Sequence, residues 1–144
     1  MTDDKSTQML TRLHHVNFLV KDLEQAVARY QDILGVVFTQ RDELPDRGVK
    51  IARTCVGETW IVLVQPVDSQ GVAAKHLERH GEGFFLISYQ VEDVFAAATQ
   101  VTAAGVVPVN SQPRQGLDDW QVLDLPADDL FGVSIQLVQS TDQG

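Results

Sequence analysis

The stretch Leu13-His14-His15-Val16-Asn17-Phe18-Leu19-Val20-Lys21-Asp22-Leu23 is answered by Phe84-Phe85-Leu86-Ile87-Ser88-Tyr89-Gln90-Val91-Glu92-Asp93-Val94, an offset of 71 residues (13 to 84). Each copy is an apolar-rich run of strand character, then an aspartate, then a helical pattern. Leu23, Ala26, Val27, Tyr30 and Leu34 recur at helical spacing in the first copy; Val94, Ala97, Ala98 and Val101 do so in the second. Asp22 and Asp93 stand where a carboxylate caps orphan backbone N–H groups. Gly35 and Gly105 stand where a helix ends in a left-handed residue. A strand is expected after each glycine, over 36–38 and 106–109.

The rest of each copy also matches. Ile61-Val62-Leu63-Val64-Gln65 resembles Ile135-Gln136-Leu137-Val138-Gln139, at an offset of 74 (61 to 135). Further strand candidates precede them, over 49–56 and 120–125. Each half therefore reads as β-α-β-β-β, which makes the class α+β with two tandem modules. Module one spans about 12–68 and module two about 83–139, joined by a short amphipathic helix over about 70–80. Neither module is large enough to hide its apolar face alone, so both are expected in one domain spanning 1–144. The polar ends, 1–11 and 140–144, are expected to fray.

Composition bounds the function. Eleven basic against 20 acidic residues leave a net charge of -9, which argues against nucleic acid and anionic lipid surfaces as partners. No apolar run approaches the ~20 residues of a membrane span, and MTDDKSTQML has no apolar signal core. A cytoplasmic location is expected. The single cysteine, Cys55, cannot form an internal disulfide or a multi-cysteine zinc site, and reads as a small buried apolar residue.

The duplicated unit resembles the vicinal oxygen chelate superfamily, which includes glyoxalase I, extradiol dioxygenases and bleomycin resistance proteins. The resemblance covers about 13–139 and is strongest to the methylmalonyl-CoA epimerase branch. Leu13-His14-His15-Val16, Asp22-Leu23, Leu34-Gly35, Glu43-Leu44-Pro45, Gly48-Val49, His80-Gly81-Glu82-Gly83, Ala104-Gly105-Val106 and Gly132-Val133 carry it, in order. It implies an incomplete barrel around a cavity, and a homodimer. It also implies a metal held by one residue from the first strand and one from the fourth strand of each copy. Those positions are His15, Val62, Leu86 and Gln136, two repeat-equivalent pairs.

Here the sequence departs from the resemblance. Val62 and Leu86 have no lone pair to donate, whereas a catalytic divalent metal wants about three protein ligands and an open position. The branch places a catalytic glutamate just after its Gly-Val pair. Gly48-Val49 is followed instead by Lys50-Ile51-Ala52-Arg53. No metal or other cofactor is expected, and epimerisation loses its electrophile and an acid–base group together.

Strand alternation places the rest of the cavity. With His15 go Leu13, Asn17 and Leu19; with Val62, Trp60 and Val64; with Leu86, Phe84, Ser88 and Gln90; with Gln136, Ser134 and Val138. The expected ligand-binding set is His15, Asn17, Trp60, Val62, Leu86, Ser88 and Gln136, an apolar and aromatic lining with few polar groups. His14 should face away from His15. His76 and His80 read as solvated helix positions, and Asp118, Asp119, Asp124, Asp128 and Asp129 as solvated loop residues. Arg41, Arg47, Lys50 and Arg53 read as surface charge, with an anionic ligand such as coenzyme A phosphates as the alternative. The expected function is binding of a small organic ligand, an acyl-CoA among the candidates, without a catalytic metal. The alternatives are an isomerase, epimerase or lyase on an acyl-CoA-like substrate. It would be metal-independent with His15 as acid–base group, or metal-dependent if the ligand positions lie elsewhere.

Overall fold

The structure, a computed structural model, describes residues 8–142. The first copy forms β1 (Leu10–Leu19), α1 (Leu23–Leu34), β2 (Gln40–Leu44), β3 (Val49–Val56) and β4 (Thr59–Pro66). Helix α2 (Val72–His80) follows. The second copy forms β5 (Gly83–Val91), α3 (Val94–Ala103), β6 (Arg114–Gln115), β7 (Gln121–Leu125) and β8 (Ile135–Gln139). The α+β class and the repeated β-α-β-β-β order are those read from the sequence.

The chain divides into two compact units, one of His15–Phe85 and the other of Leu86 onward together with the residues up to His14. In the first unit the strands lie in the order β2-β3-β4-β1, with β4 parallel to β1 and antiparallel to β3. One face of this sheet is covered by α1. Leu23, Ala26, Val27 and Tyr30 of the helix pack on Phe18, Val20, Phe38, Ala52, Ile61 and Leu63. In the second unit the order is β5-β8-β7-β6. There Val94, Ala97, Ala98 and Val101 of α3 pack on Tyr89, Val91, Leu123, Leu125, Ile135 and Leu137.

Both helices start on the same two devices. Asp22 accepts from the Gln25 amide at 3.1 Å, and Asp93 accepts from the Phe95 and Ala96 amides at 2.9 and 3.1 Å. A glutamine at or next to the end of the last strand of each module then takes the amide of the first helical residue. Gln65 Oε1 accepts from the Leu23 amide at 2.7 Å, and Gln139 Oε1 accepts from the Val94 amide at 2.9 Å. A helix leaves its first four N–H groups without partners, so these contacts join each helix to its own sheet. Gly35 ends α1 in the left-handed conformation, φ 69°, with its N–H on the Gln31 carbonyl.

Three expectations need correction. No strand forms over 36–38; β2 begins at Gln40, and Phe38 turns into the core instead. No strand forms over 106–109 either, and its counterpart is the two-residue β6. Pro108 and Pro113 interrupt this stretch and supply no N–H to a ladder; Val109 makes a single bond, to the Asp124 carbonyl at 2.8 Å. The chain ends are not simply frayed. Met9 and Leu10 pack into the second core, and Arg12, Ser140 and Asp142 bond together as described below. Residues 1–7 and 143–144, part of the same expectation, lie outside the described residues. Among the described residues no helix is long and apolar enough to cross a membrane.

Asp93→Ala is expected to cost about 1 kcal/mol, and Asp93→Ser less, because serine still caps. Urea unfolding midpoints measure this; an alanine variant as stable as the parent would contradict the capping role.

Candidate functional site

Because α1 holds Ala52 and Leu63 beneath it, their strand neighbours Arg53 and Val62 must face the other way. The register fixes which residues share that helix-remote face. Trp60 lies opposite His15 and Cys55, and Val62 lies opposite Asn17 and Arg53. Val64 lies opposite Leu19 and Ile51, and Asp42 opposite Ile51. His15, Arg53, Trp60 and Val62 are buried. Asn17 is half-buried, and its Oδ1 is enclosed without a hydrogen-bond donor among the described residues. The four residues expected from this module, His15, Asn17, Trp60 and Val62, thus fall on one face.

Arg53 was missed. It is 1% exposed rather than on the surface, with its guanidinium carbon 4.6 Å from the centre of the Trp60 ring. Its Nε lies 3.5 Å from Asp42 Oδ2. The signal was present in the sequence. The two-residue turn Gly57-Glu58, with Gly57 at φ 64°, fixes the β3–β4 register. That register puts Arg53 beside Val62.

The second unit carries a polar chain on its own helix-remote face. Ser88 lies opposite Gln136, which lies opposite Asp124. Ser88 Oγ donates to Gln136 Oε1 at 3.1 Å, Gln136 Nε2 donates to Asp124 Oδ1 at 3.0 Å, and Arg114 Nε donates to Asp124 Oδ2 at 2.9 Å. Leu86, two residues before Ser88, shares its strand parity and is half-buried. Asp124 is therefore a strand residue that orients a buried amide, not a solvated loop carboxylate. Sequence reasoning missed it because a carboxylate between Leu123 and Leu125 is explained equally well by an exposed strand face.

A separate cluster ties the two ends of the second unit together. His14 is fully buried, edge-on to Trp120 with ring centres 4.5 Å apart. Its Nε2 lies 3.0 Å from Asp142 Oδ2 and 3.2 Å from Ser140 Oγ. Asp142 also accepts from Trp120 Nε1 at 2.8 Å, Ser140 Oγ at 2.8 Å and Arg12 Nη2 at 2.6 Å. Burial pushes the His14 pKa down from 6.5, and the bond to Asp142 only partly offsets this. The ionised carboxylate can only accept, so the Nε2–H donates to it. Burial alone would raise the Asp142 pKa. Hydrogen bonds from Ser140, Arg12 and His14 outweigh it and hold the carboxyl well below its usual range.

The remaining candidates are simpler. His76 and His80 have ring centres 4.5 Å apart on α2, and His76 also packs edge-on against Phe85 at 4.9 Å, so it is not merely solvated. Burial, and then the neighbouring His80, lower its pKa. Cys55 is half-buried rather than enclosed.

The four residues at the expected metal positions do not suit a divalent cation. In the first unit His15 brings an imidazole, but Val62 brings hydrocarbon. In the second, Leu86 brings hydrocarbon, and the Gln136 amide is already held at both ends, its oxygen by Ser88 and its nitrogen by Asp124. No carboxylate at these positions offsets the metal's charge. Among the described residues no group of three or more His, Cys, Asp or Glu side chains has metal-holding geometry.

Two β-α-β-β-β modules, each with a helix on one sheet face and mixed polar and apolar residues on the other, define a protein of the glyoxalase fold. The model of the Glyoxalase/Bleomycin resistance protein/Dioxygenase superfamily matches residues 14–123, and the chain belongs to that superfamily. It is 34% identical over 133 residues to an ethylmalonyl-CoA/methylmalonyl-CoA epimerase of Cereibacter sphaeroides, covering 91% of this chain and 99% of that one. It is 29% identical to the human mitochondrial methylmalonyl-CoA epimerase, covering 91% of this chain and 75% of the relative. Among solved structures, a Streptomyces coelicolor methylmalonyl-CoA epimerase variant in complex with 2-nitronate-propionyl-CoA superposes with a TM-score of 0.88. That match has 26% identity and covers 92% of this chain and 99% of the other. The methylmalonyl-CoA epimerase of Mycobacterium tuberculosis gives a TM-score of 0.87 at 30% identity, over 94% and 92% of the two chains.

The Asp142 cluster has a pH signature. A carboxyl whose folded-state pKa is depressed contributes stability above its unfolded pKa and loses it as pH falls toward the folded value. Unfolding free energy should therefore fall more steeply between about pH 5 and pH 3 in the parent than in Asp142→Asn. Equal slopes in urea titrations across that range would refute the assignment.

Proposed function

We propose that this chain is a ligand-binding member of the superfamily that takes a small organic molecule of the acyl-CoA class without a catalytic metal. The observation that carries the reading is the chemistry on the two helix-remote faces. Hydrocarbon stands at Val62 and Leu86, where the resemblance calls for two metal ligands, and no carboxylate stands among Lys50, Ile51, Ala52 and Arg53, where it calls for a catalytic glutamate. His15, Asn17, Ser88 and Gln136 remain as neutral hydrogen-bonding groups among apolar and aromatic neighbours. On each face a few hydrogen bonds suit the polar part of a ligand and apolar contact suits the rest. The acyl-CoA class is supported by relatives named as acyl-CoA epimerases and by the propionyl-CoA analogue bound to the Streptomyces coelicolor protein.

His15 and Asn17 bind the ligand in the first module, with Trp60 providing a ring for a planar group. Ser88 and Gln136 serve in the second, where Asp124 and Arg114 fix which end of the Gln136 amide faces which partner. The protein works as a single-domain chain, pairs as a homodimer and acts in the cytoplasm.

Titration calorimetry of the full chain with acetyl-CoA and propionyl-CoA tests this, once in excess EDTA and once after dialysis against cobalt. Binding in both conditions, with Kd values agreeing within about threefold, is expected. Binding that appears only with cobalt would overturn the metal-free reading, and no binding in either condition would overturn the ligand class.

A further inference from the structure

Helix α2 carries two histidines in the run His76-Leu77-Glu78-Arg79-His80. Side chains at this i, i+4 spacing stand one above the other on one helix face. The two rings meet there: their centres are 4.5 Å apart and their planes 42° from parallel, neither stacked nor edge-on. Two imidazoles bound to one ion at about 2.0–2.1 Å, and at about a right angle, have ring centres roughly 4.5 Å apart; at the tetrahedral angle the separation is roughly 5.2 Å. The pair thus has the spacing of two neighbouring corners of a square-planar or octahedral site.

His76 is half-buried and His80 exposed, so the pair is anchored on one side and open to solvent on the other. The His76 ring packs edge-on against Phe85 at 4.9 Å, and a hydrogen bond to the Phe84 backbone favours a proton on that ring. One ring nitrogen therefore donates its N–H to the Phe84 carbonyl, and the other keeps its lone pair. Metal-ligating histidines are commonly oriented in this way, by a carbonyl on the far nitrogen. Burial and the neighbouring His80 both favour the uncharged ring, the form that donates to a metal. Local charge does not oppose a cation: Lys75 and Arg79 are matched in number by Glu78 and Glu82, and the whole chain carries -9.

We propose that His76 and His80 form a two-imidazole site for a divalent transition ion, copper(II) before nickel(II) and zinc(II). Imidazole suits all three, copper(II) heads the affinity order at nitrogen sites, and a right-angle pair of nitrogens matches the tetragonal geometry of copper(II) and nickel(II). Magnesium and calcium take oxygen ligands and have no place there. The site lies on a helix and not at the sheet positions His15, Val62, Leu86 and Gln136, so it stands or falls independently of the acyl-CoA reading. Two protein ligands fall short of the about three of a resident catalytic metal, so the ion enters from solution and leaves on dialysis.

The test is titration calorimetry of the untagged full chain, stripped with EDTA and then freed of it, against the chlorides of copper(II), nickel(II), zinc(II) and magnesium. The wild type should bind one copper(II) per chain, at least about threefold more tightly than nickel(II) or zinc(II), and show no binding of magnesium. His80→Ala, a change at an exposed position, should weaken copper(II) binding at least about tenfold, because a single imidazole remains. His76→Ala should do the same, and His76→Gln serves if loss of the Phe85 contact unfolds the alanine variant. Glu78→His combined with His80→Ala restores the number of histidines but turns the second imidazole to another side of the helix. Its copper(II) affinity should stay within about twofold of His80→Ala alone. Electron paramagnetic resonance of the copper(II) complex should show two equatorial imidazole nitrogens in the wild type and one in His80→Ala. Copper(II) affinity that changes less than about threefold in His80→Ala would overturn the inference. Recovery of wild-type affinity in the double variant would also overturn it, by showing that histidine number and not the His76–His80 pairing sets the binding.

Discussion

A strand turns successive side chains to opposite sides, and once a helix claims one side the other is fixed. That constraint governs the chemistry of both modules. Leu23, Ala26, Val27 and Tyr30 of α1 require small or apolar residues beneath them and receive Ala52 and Leu63. Arg53 and Val62 then have one direction left. In the second module α3 claims Leu123 and Leu137, which leaves Asp124 and Gln136 facing away from the helix. Besides this packing and the Asp22 and Asp93 caps, one glutamine of each last strand ties its helix to the sheet, Gln65 to Leu23 and Gln139 to Val94. A slip of one residue in either last strand would break that bond and turn that strand's side chains to the wrong face.

The two modules have kept the same frame and diverged in what they display. The first presents one buried cation on an aromatic ring beside His15 and Asn17. The second presents a hydrogen-bonded line in which Arg114 neutralises Asp124, Asp124 orients Gln136, and Gln136 accepts from Ser88. In the first, charge is concentrated on the sheet face; in the second, it is balanced within the chain of contacts. The difference lies in the residues alone: a buried guanidinium on an indole in one module, a neutral amide held at both ends in the other.

Much of this was legible in the sequence, and the limits have physical causes. The repeat exposed the fold because its signals are local: an apolar run, Asp22 or Asp93 as cap, helical spacing, a glycine stop. His15, Trp60, Val62, Ser88 and Gln136 could be placed because each lies in a strand whose parity is set by its apolar neighbours. Arg53 was read as surface charge because long basic side chains are seldom enclosed, and only the β3–β4 register overrides that expectation. The roles of Gln65 and Gln139 were hidden because a glutamine at a strand end looks like ordinary polar punctuation. Residues 36–38 and 106–109 were read as strands because an apolar run follows each helix-ending glycine, without weighing the prolines after Gly105 or the pull of the core on Phe38. Asp142, read as part of a frayed end, is held by Arg12, His14, Ser140 and Trp120, contacts that span most of the chain in sequence and have no local signature.

The central claim is that the superfamily fold here recognises its ligand with side chains alone. Metal content of untagged protein, purified without chelator and measured by inductively coupled plasma mass spectrometry, tests it most directly. Less than about a tenth of an equivalent of any divalent transition metal per chain is expected, because two hydrocarbon positions leave too few ligands for a tight site. A value near one equivalent, retained through dialysis, would contradict it and show that these strands hold a metal through residues other than His15, Val62, Leu86 and Gln136.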